Sequence, residues 1–140
     1  MIRPVRPTDF KRLLDIEAKA FPKSQYDLGE FWSLYLRYPE SFLVEATDDI
    51  EGYIVFSPDG HVISMAVAPR RRRRGVGSRL LGEAIGRCAG SPLYLEVRVS
   101  NVGAQQFYEC LGFRKSELRP RYYLDGEDAV VMVRPPDQDT

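Results

Sequence analysis

Five consecutive arginines, Arg70 to Arg74, run directly into Gly75-Val76-Gly77-Ser78. Ahead of them lies an apolar run with strand character, Val62-Ile63-Ser64-Met65-Ala66-Val67, and behind them a helix-patterned run from Val76 to Cys88. Few junctions constrain a chain more tightly, because a strand, a glycine-rich turn and a helix must follow one another within a few residues. Glycine lets the backbone approach a ligand closely, and the unbonded N–H groups at a helix start attract anions. With arginines added, the spacing Arg72-x-x-Gly75-x-Gly77 suits a multiply charged phosphate, a diphosphate best of all. Read alone, a basic run is a solvated patch; its place between strand and helix favours phosphate binding.

The rest of the chain limits the function classes. Its 140 residues suit one domain with one core. Twenty basic residues balance twenty acidic ones, so outside the arginine run the chain is net acidic. Positive potential is concentrated at one place, which argues against a general nucleic-acid binder. Cys88 and Cys110 fall at apolar helix positions and read as buried thiols, with no spacing for a metal site or a disulfide framework. No stretch has the length or apolarity of a membrane span or signal core, which fits a cytoplasmic protein.

Periodicity predicts the elements. Ile2 to Arg6 reads as a first strand. Thr8 caps a helix with Phe10, Leu13, Leu14, Ala18 and Phe21 on one stripe, on which Glu17 also falls. Asp27 opens a second helix. Phe42–Glu45 and Gly52–Phe56 read as strands joined at Asp48-Asp49, and Pro58-Asp59-Gly60 turns into a strand from His61 to Val67. The helix from Gly75 puts Val76, Leu80, Ala84 and Cys88 on a core face. Leu93–Val99 alternates cleanly, apolar residues on one side and Tyr94, Glu96 and Arg98 on the other. A helix from about Asn101 to Leu111 is followed by strands near Phe113–Tyr123 and Ala129–Val133, around a turn at Leu124–Glu127. Residues 1–134 form the domain and 135–140 a polar tail.

A polar face on an interior strand suggests a cleft wall, which makes Glu96 a candidate general base. An ion pair with Arg98 or another arginine explains it equally well. Tyr108 shares a stripe with Ala104, Phe107 and Leu111 and is either core or aimed into that cleft.

Taken together these residues resemble the GNAT N-acetyltransferase superfamily. Arg72-x-x-Gly75-x-Gly77 matches its acetyl-CoA motif, and Asn101-x-x-Ala104-x-x-Phe107-Tyr108-x-x-Leu111-Gly112-Phe113 its second cofactor motif. Leu95-Glu96-Val97-Arg98-x-Ser100-Asn101, Gly60-His61-Val62-x-Ser64-x-Ala66-Val67, Tyr122-Tyr123-Leu124-Asp125-Gly126-Glu127-Asp128-Ala129 and Ile16-Glu17…Phe21-Pro22 are similar to the RimI and NatA-catalytic-subunit branch, which acetylates protein N-termini. The arginine run is longer than the family's usual one.

The resemblance implies an α/β fold, a mixed twisted sheet of about seven strands flanked by about four helices, with two central parallel strands splayed apart. It implies acetyl-CoA as co-substrate and no metal. Backbone of Met65, Ala66 and Val67 would pair with the pantetheine arm and supply an oxyanion donor. Arg72, Arg73, Arg74, Gly75, Val76, Gly77 and Ser78 would hold the diphosphate, and Asn101 and Tyr108 would complete the cofactor site. Glu96 would be the base, with His61 a second candidate, and Tyr108 the acid that meets the leaving thiolate. Glu17 either orients substrate or caps backbone. Phe21, Pro22 and Tyr26 would form one wall of an acceptor groove for protein or peptide N-termini, Tyr122 and Tyr123 the other. A partner subunit is possible but not required. A small-amine acetyltransferase is the alternative, kept open by Asp125, Glu127 and Asp128; a non-catalytic acyl-CoA sensor fits less well with Glu96 and Tyr108 present.

Overall fold

The computed structural model describes residues 1–69 and 75–136. Seven strands and four helices occur in the order β1 (Ile2–Pro4), α1 (Phe10–Ala20), α2 (Leu28–Arg37), β2 (Phe42–Ala46), β3 (Ile50–Phe56), β4 (Val62–Val67), α3 (Val76–Arg87), β5 (Leu93–Arg98), α4 (Val102–Cys110), β6 (Arg114–Arg119) and β7 (Ala129–Arg134). The strands form two antiparallel sheets, β1-β2-β3-β4 and β5-β7-β6. Among the described residues a lone parallel bridge, His61 to Tyr94, joins β4 to β5.

β3 is buried along its whole length because helices cover both faces of its sheet. On one face Leu43, Ile54 and Phe56 pack with Val76, Leu80, Leu81 and Ala84 of α3, and with Leu93, Leu95 and Met132 of the smaller sheet. On the other, Val44, Tyr53 and Val55 pack with Phe10, Leu13 and Ile16 of α1 and Phe31 of α2. The predicted α3 stripe of Val76, Leu80, Ala84 and Cys88 is buried throughout.

Helix starts follow the local chemistry. Asp27 caps α2 by accepting from the Glu30 N–H at 2.8 Å, while the Glu30 carboxylate accepts from the Asp27 N–H at 3.1 Å. Thr8 is not a cap: a 3₁₀ turn at Pro7–Asp9 precedes α1, and Asp9 accepts from the Arg6 N–H at 2.8 Å and pairs with Arg3. Gly75 starts α3 at φ 80°, a left-handed conformation that suits glycine.

Three further expectations are corrected. β6 ends at Arg119 instead of running to Tyr123, since Pro120 has no N–H for a ladder and Arg121 turns at φ 52°. Cys110 is exposed while Cys88 is buried, because position 110 lies off the stripe through Ala104, Phe107 and Leu111 that faces the core. On α1 it is Ile16, not Leu14 or Ala18, that completes the fully buried stripe.

Candidate active site

Beyond the His61–Tyr94 bridge, β4 and β5 part, and no strand among the described residues pairs with that edge of β4. Gly60 makes the parting point possible. Its φ is 104°, its carbonyl accepts from the Tyr94 N–H at 2.9 Å, and a Cβ there would collide with the Pro92 carbonyl oxygen. Between the splayed strands lies a cavity of about 280 Å³. β4 gives it Ser64 and Met65, β5 Glu96 and Arg98, and α4 Ala104 and Tyr108. Phe21 and Tyr26 reach it from the α1–α2 connection, and Tyr122 and Tyr123 from the β6–β7 connection.

Glu96 stands on the cavity wall. Its Oε1 lies 2.9 Å from His61 Nε2 and accepts from the Tyr122 hydroxyl at 3.4 Å. The His61 ring is stacked on Tyr94, centroids 4.6 Å apart and planes 1° from parallel. The two candidate bases are therefore one hydrogen-bonded pair, in which Glu96 faces the cavity and His61 stands behind it. Among the described residues, Glu96 Oε2 has no hydrogen-bond partner.

Arg98 is not the partner of Glu96. Its Nη1 meets Asp125 Oδ2 at 2.9 Å and Glu127 Oε1 at 2.7 Å, and its guanidinium carbon lies 4.0 Å from the Tyr123 ring centroid. Burial disfavours the Arg98 charge, but hydrogen bonds to Glu127 and Asp125 outweigh it and raise its pKa. Glu127 Oε2 also accepts from the Ser100 N–H at 3.0 Å, and Asp128 accepts from the Arg121 N–H at 2.9 Å. The β6–β7 connection is thus tied to the end of β5, which sets Tyr122 and Tyr123 over the cavity at 5.0 Å from each other.

Tyr108 packs against Phe107 and Phe113, and burial pushes its pKa up to about 12. Burial lifts Tyr26 to about 12 as well, helped by the charges of Glu17, Glu30 and Glu96, and Tyr123 to about 12 with help from Tyr122. All three hydroxyls stay protonated at neutral pH and can donate hydrogen bonds.

Of the expected donor-binding residues, Met65 lines the cavity while Ala66 turns its methyl into the core. Asn101 borders the cavity and caps α4, its Oδ1 accepting from the Ala104 N–H at 3.1 Å. Val76 is a core residue and Ser78 is exposed on the first turn of α3. Gly77 is a packing glycine: a Cβ there would stand 3.1 Å from Phe107 Cζ and 3.6 Å from Val67 Cγ2. That contact seats the start of α3 between the end of β4 and α4. Arg72, Arg73 and Arg74 lie outside the described residues. Pro22 is exposed and does not border the cavity, whereas its neighbours Phe21, Ser24 and Tyr26 do.

Sequence reasoning passed over Tyr53 and Ser64. Tyr53 is fully buried, yet its hydroxyl donates to Glu17 Oε1 and lies 2.9 Å from Ser64 Oγ on the cavity wall. Glu17, a carboxylate on an apolar stripe, was the only sign of this network in the sequence.

A strand edge left open, a helix start at its far end and a carboxylate on the cleft wall together frame the site. Residues 9–113 match the acetyltransferase (GNAT) family. The chain is 34% identical to an N-alpha-acetyltransferase of Sulfurisphaera tokodaii, over 96% of this chain and 92% of that one. Ard1 of Thermoplasma volcanium superposes with a TM-score of 0.88 at 31% identity, covering 99% and 98% of the two chains. Naa20 of Chaetomium thermophilum, solved with a bisubstrate analogue, gives 0.87 at 27% identity, covering 97% and 86%. The chain belongs to the GNAT acetyltransferase family, and by that membership it is an acetyl-CoA-dependent acyltransferase.

Proposed function

We propose that this enzyme acetylates the N-terminal α-amino group of proteins or peptides. The observation that carries the reading is the Glu96–His61 pair on the wall of a cavity roofed by Tyr122 and Tyr123. The names of its relatives agree with it.

The chain's own residues fit acetyl-CoA. The open edge of β4 offers backbone to an extended pantetheine arm. At the end of that edge, Gly75 presents the first N–H groups and the positive dipole end of α3 to a diphosphate. Arg72, Arg73 and Arg74, whose places are not described, would add charge there, and Asn101 and Tyr108 stand at the opposite wall. When bound, the donor supplies an acetyl group activated as a thioester.

An N-terminal ammonium has a pKa of about 8, so near neutrality a proton must leave before the nitrogen can attack. Glu96 is placed to accept it. Oε1 is already held by His61 and Tyr122, so Oε2 would be the oxygen that takes the proton. His61 orients that carboxylate, and stacking on Tyr94 fixes the imidazole in turn. Tyr108, with a pKa of about 12, is too weak an acid to hand its proton fully to a thiolate, whose conjugate acid lies near 8.5. Its part is a hydrogen bond to the sulfur as negative charge develops there.

Tyr26 and Tyr123 give the acceptor wall hydroxyl donors suited to peptide carbonyls, while the Tyr122 hydroxyl is engaged with Glu96. Asp125, Glu127 and Asp128 are engaged with Arg98, the Ser100 N–H and the Arg121 N–H, and none of them borders the cavity. This supports a peptide acceptor over a small polycation. No described helix is long and apolar enough to cross a membrane, in keeping with proteins of the cytoplasm as acceptors. The test is incubation with acetyl-CoA and a library of short peptides with varied first residues, read by mass spectrometry. Acetylation of α-amino groups is expected; turnover of polyamines or aminoglycosides with no peptide product would overturn the reading.

A further inference from the structure

We infer that Glu17 is a positioning residue that sets the acceptor wall, and with it the choice of acceptor first residue. The inference rests on the peptide-acceptor reading for its functional part and on α1 and its contacts for its structural part.

Glu17 is 1% exposed, and no cation among the described residues bonds its carboxylate. Burying a carboxylate is costly unless its oxygens are satisfied. Both are. Oε1 accepts from the Tyr53 hydroxyl and Oε2 from the Tyr26 N–H at 3.1 Å. The Glu17 backbone carbonyl also accepts, from the Phe21 N–H at 2.8 Å. One residue therefore clasps both ends of the segment from Phe21 to Tyr26, the segment that gives Phe21, Ser24 and Tyr26 to the cavity. Within it the Ser24 N–H donates to the Phe21 carbonyl at 3.2 Å, a single turn with no ladder of its own.

The other end of the clasp is rigid. Tyr53 sits in the middle of β3, fully buried and packed against Phe31 and Phe42, and its hydroxyl reaches Ser64 on the β4 wall of the same cavity. Through Tyr53, Glu17 fixes the distance between the loop wall and the strand wall. That distance is what an acceptor's first side chain meets. Burial also raises the Glu17 pKa, against the pull of Tyr53 and the Tyr26 N–H, so the site tolerates a neutral group well.

Two substitutions separate wiring from charge. Glu17→Gln keeps an oxygen for the Tyr26 N–H and places an amide donor beside the Tyr53 oxygen, whose own proton can turn to Ser64. Glu17→Ala removes both bonds. With the best peptide from the library, Glu17→Ala should raise the peptide KM about tenfold, some 1.4 kcal/mol, with the acetyl-CoA KM unchanged. It should also flatten the ranking of first residues, while Glu17→Gln restores both within about threefold. Amide hydrogen exchange gives a readout that needs no turnover. Protection of the Tyr26 N–H should fall at least tenfold in Glu17→Ala and persist in Glu17→Gln. If Glu17→Gln is as impaired towards peptide as Glu17→Ala while its Tyr26 protection is intact, the charge matters and the positioning inference is wrong. Unchanged Tyr26 protection in Glu17→Ala overturns it outright. Should Glu17→Ala not fold, Tyr53→Phe, which keeps the ring and frees Oε1, must show a smaller rise in peptide KM; a peptide KM equal to wild type would overturn it. Were the wild type to acetylate no peptide, the functional reading would fail separately, and the exchange result would still decide the role of Glu17.

Discussion

Gly60 carries a prediction that joins stability to catalysis. Replacing it with alanine forces an L side chain to φ 104° and drives a Cβ towards the Pro92 carbonyl, whose carbon would be 3.2 Å away. A left-handed backbone costs an L residue about 1–2 kcal/mol. Relief of the collision must move the strands at the point where the Tyr94 N–H meets the Gly60 carbonyl, putting a hydrogen bond of about 0.5–1.5 kcal/mol at risk. Together these give about 2–3 kcal/mol, or roughly 6–12 °C in Tm for a chain of this size. The next residue is His61, so the shift also pulls its imidazole from Glu96. At a temperature where the variant is still folded, kcat should fall several-fold with little change in acetyl-CoA affinity. Gly82→Ala is the control. Gly82 is exposed on α3, an added Cβ there meets nothing within 4 Å, and the helix should gain about 0.5–1 kcal/mol. Differential scanning calorimetry and steady-state rates read both. A Gly60→Ala protein that melts within about 2 °C of wild type and keeps its rate would refute the claim that this glycine sets the strand parting.

Glu96→Gln should cost about 10²-fold or more in kcat near neutrality and recover partly at high pH, where the acceptor amine is already free, whereas His61→Gln, with its orienting contact weakened, should lose less; rate–pH profiles distinguish them, and the reverse ranking would exchange their roles. Tyr108→Phe should lower kcat by about 10- to 100-fold without weakening acetyl-CoA binding measured by calorimetry, provided chemistry is limiting. Because burial raises the Glu17 pKa above its unfolded value, the folded chain holds that proton more tightly, and this contribution to stability is complete at acid pH and declines as pH rises beyond about 4.5. The Tm of Glu17→Gln relative to wild type should accordingly improve between pH 4 and pH 7; a difference independent of pH would contradict the assigned burial. Asp9 runs the opposite way: burial opposes its charge, but Arg3 and the Arg6 N–H hold its pKa below the usual range. Stability from that pair should survive until pH falls below about 4, and Arg3→Ala should erase this acid-sensitive part of a Tm–pH curve.

Local patterns in the chain were good guides to local structure. The alternation from Leu93 to Arg98 is what a strand with one core face and one cleft face requires, and the α3 stripe needed only helical spacing. The β6 boundary was also open to reading, since Pro120 interrupts the ladder. What local patterns do not hold is where two parallel strands stop pairing. That depends on Gly60 meeting Pro92 across the fold, and the splay was expected from family resemblance alone. Pairing at the site shows the same limit. Glu96 and His61 are 35 positions apart, and Arg98 looked as good a partner for Glu96 until the register placed Asp125 and Glu127 beside it. Glu17 announced a buried polar contact by its position on α1, but its partners Tyr53 and Tyr26 come from other elements.

The lone bridge between the sheets has a mechanical consequence. Each sheet completes its own ladders, so rotating one against the other about the His61–Tyr94 bridge breaks no ladder bond. Resistance comes from side chains that both sheets share, such as Leu43 and Ile54 against Leu95 and Met132. Dispersion contacts of that kind yield gradually over fractions of an ångström, where a hydrogen-bonded ladder gives way one bond at a time. Such a rotation would open the mouth of the cleft most and displace Glu96 and His61, which lie beside the bridge, least.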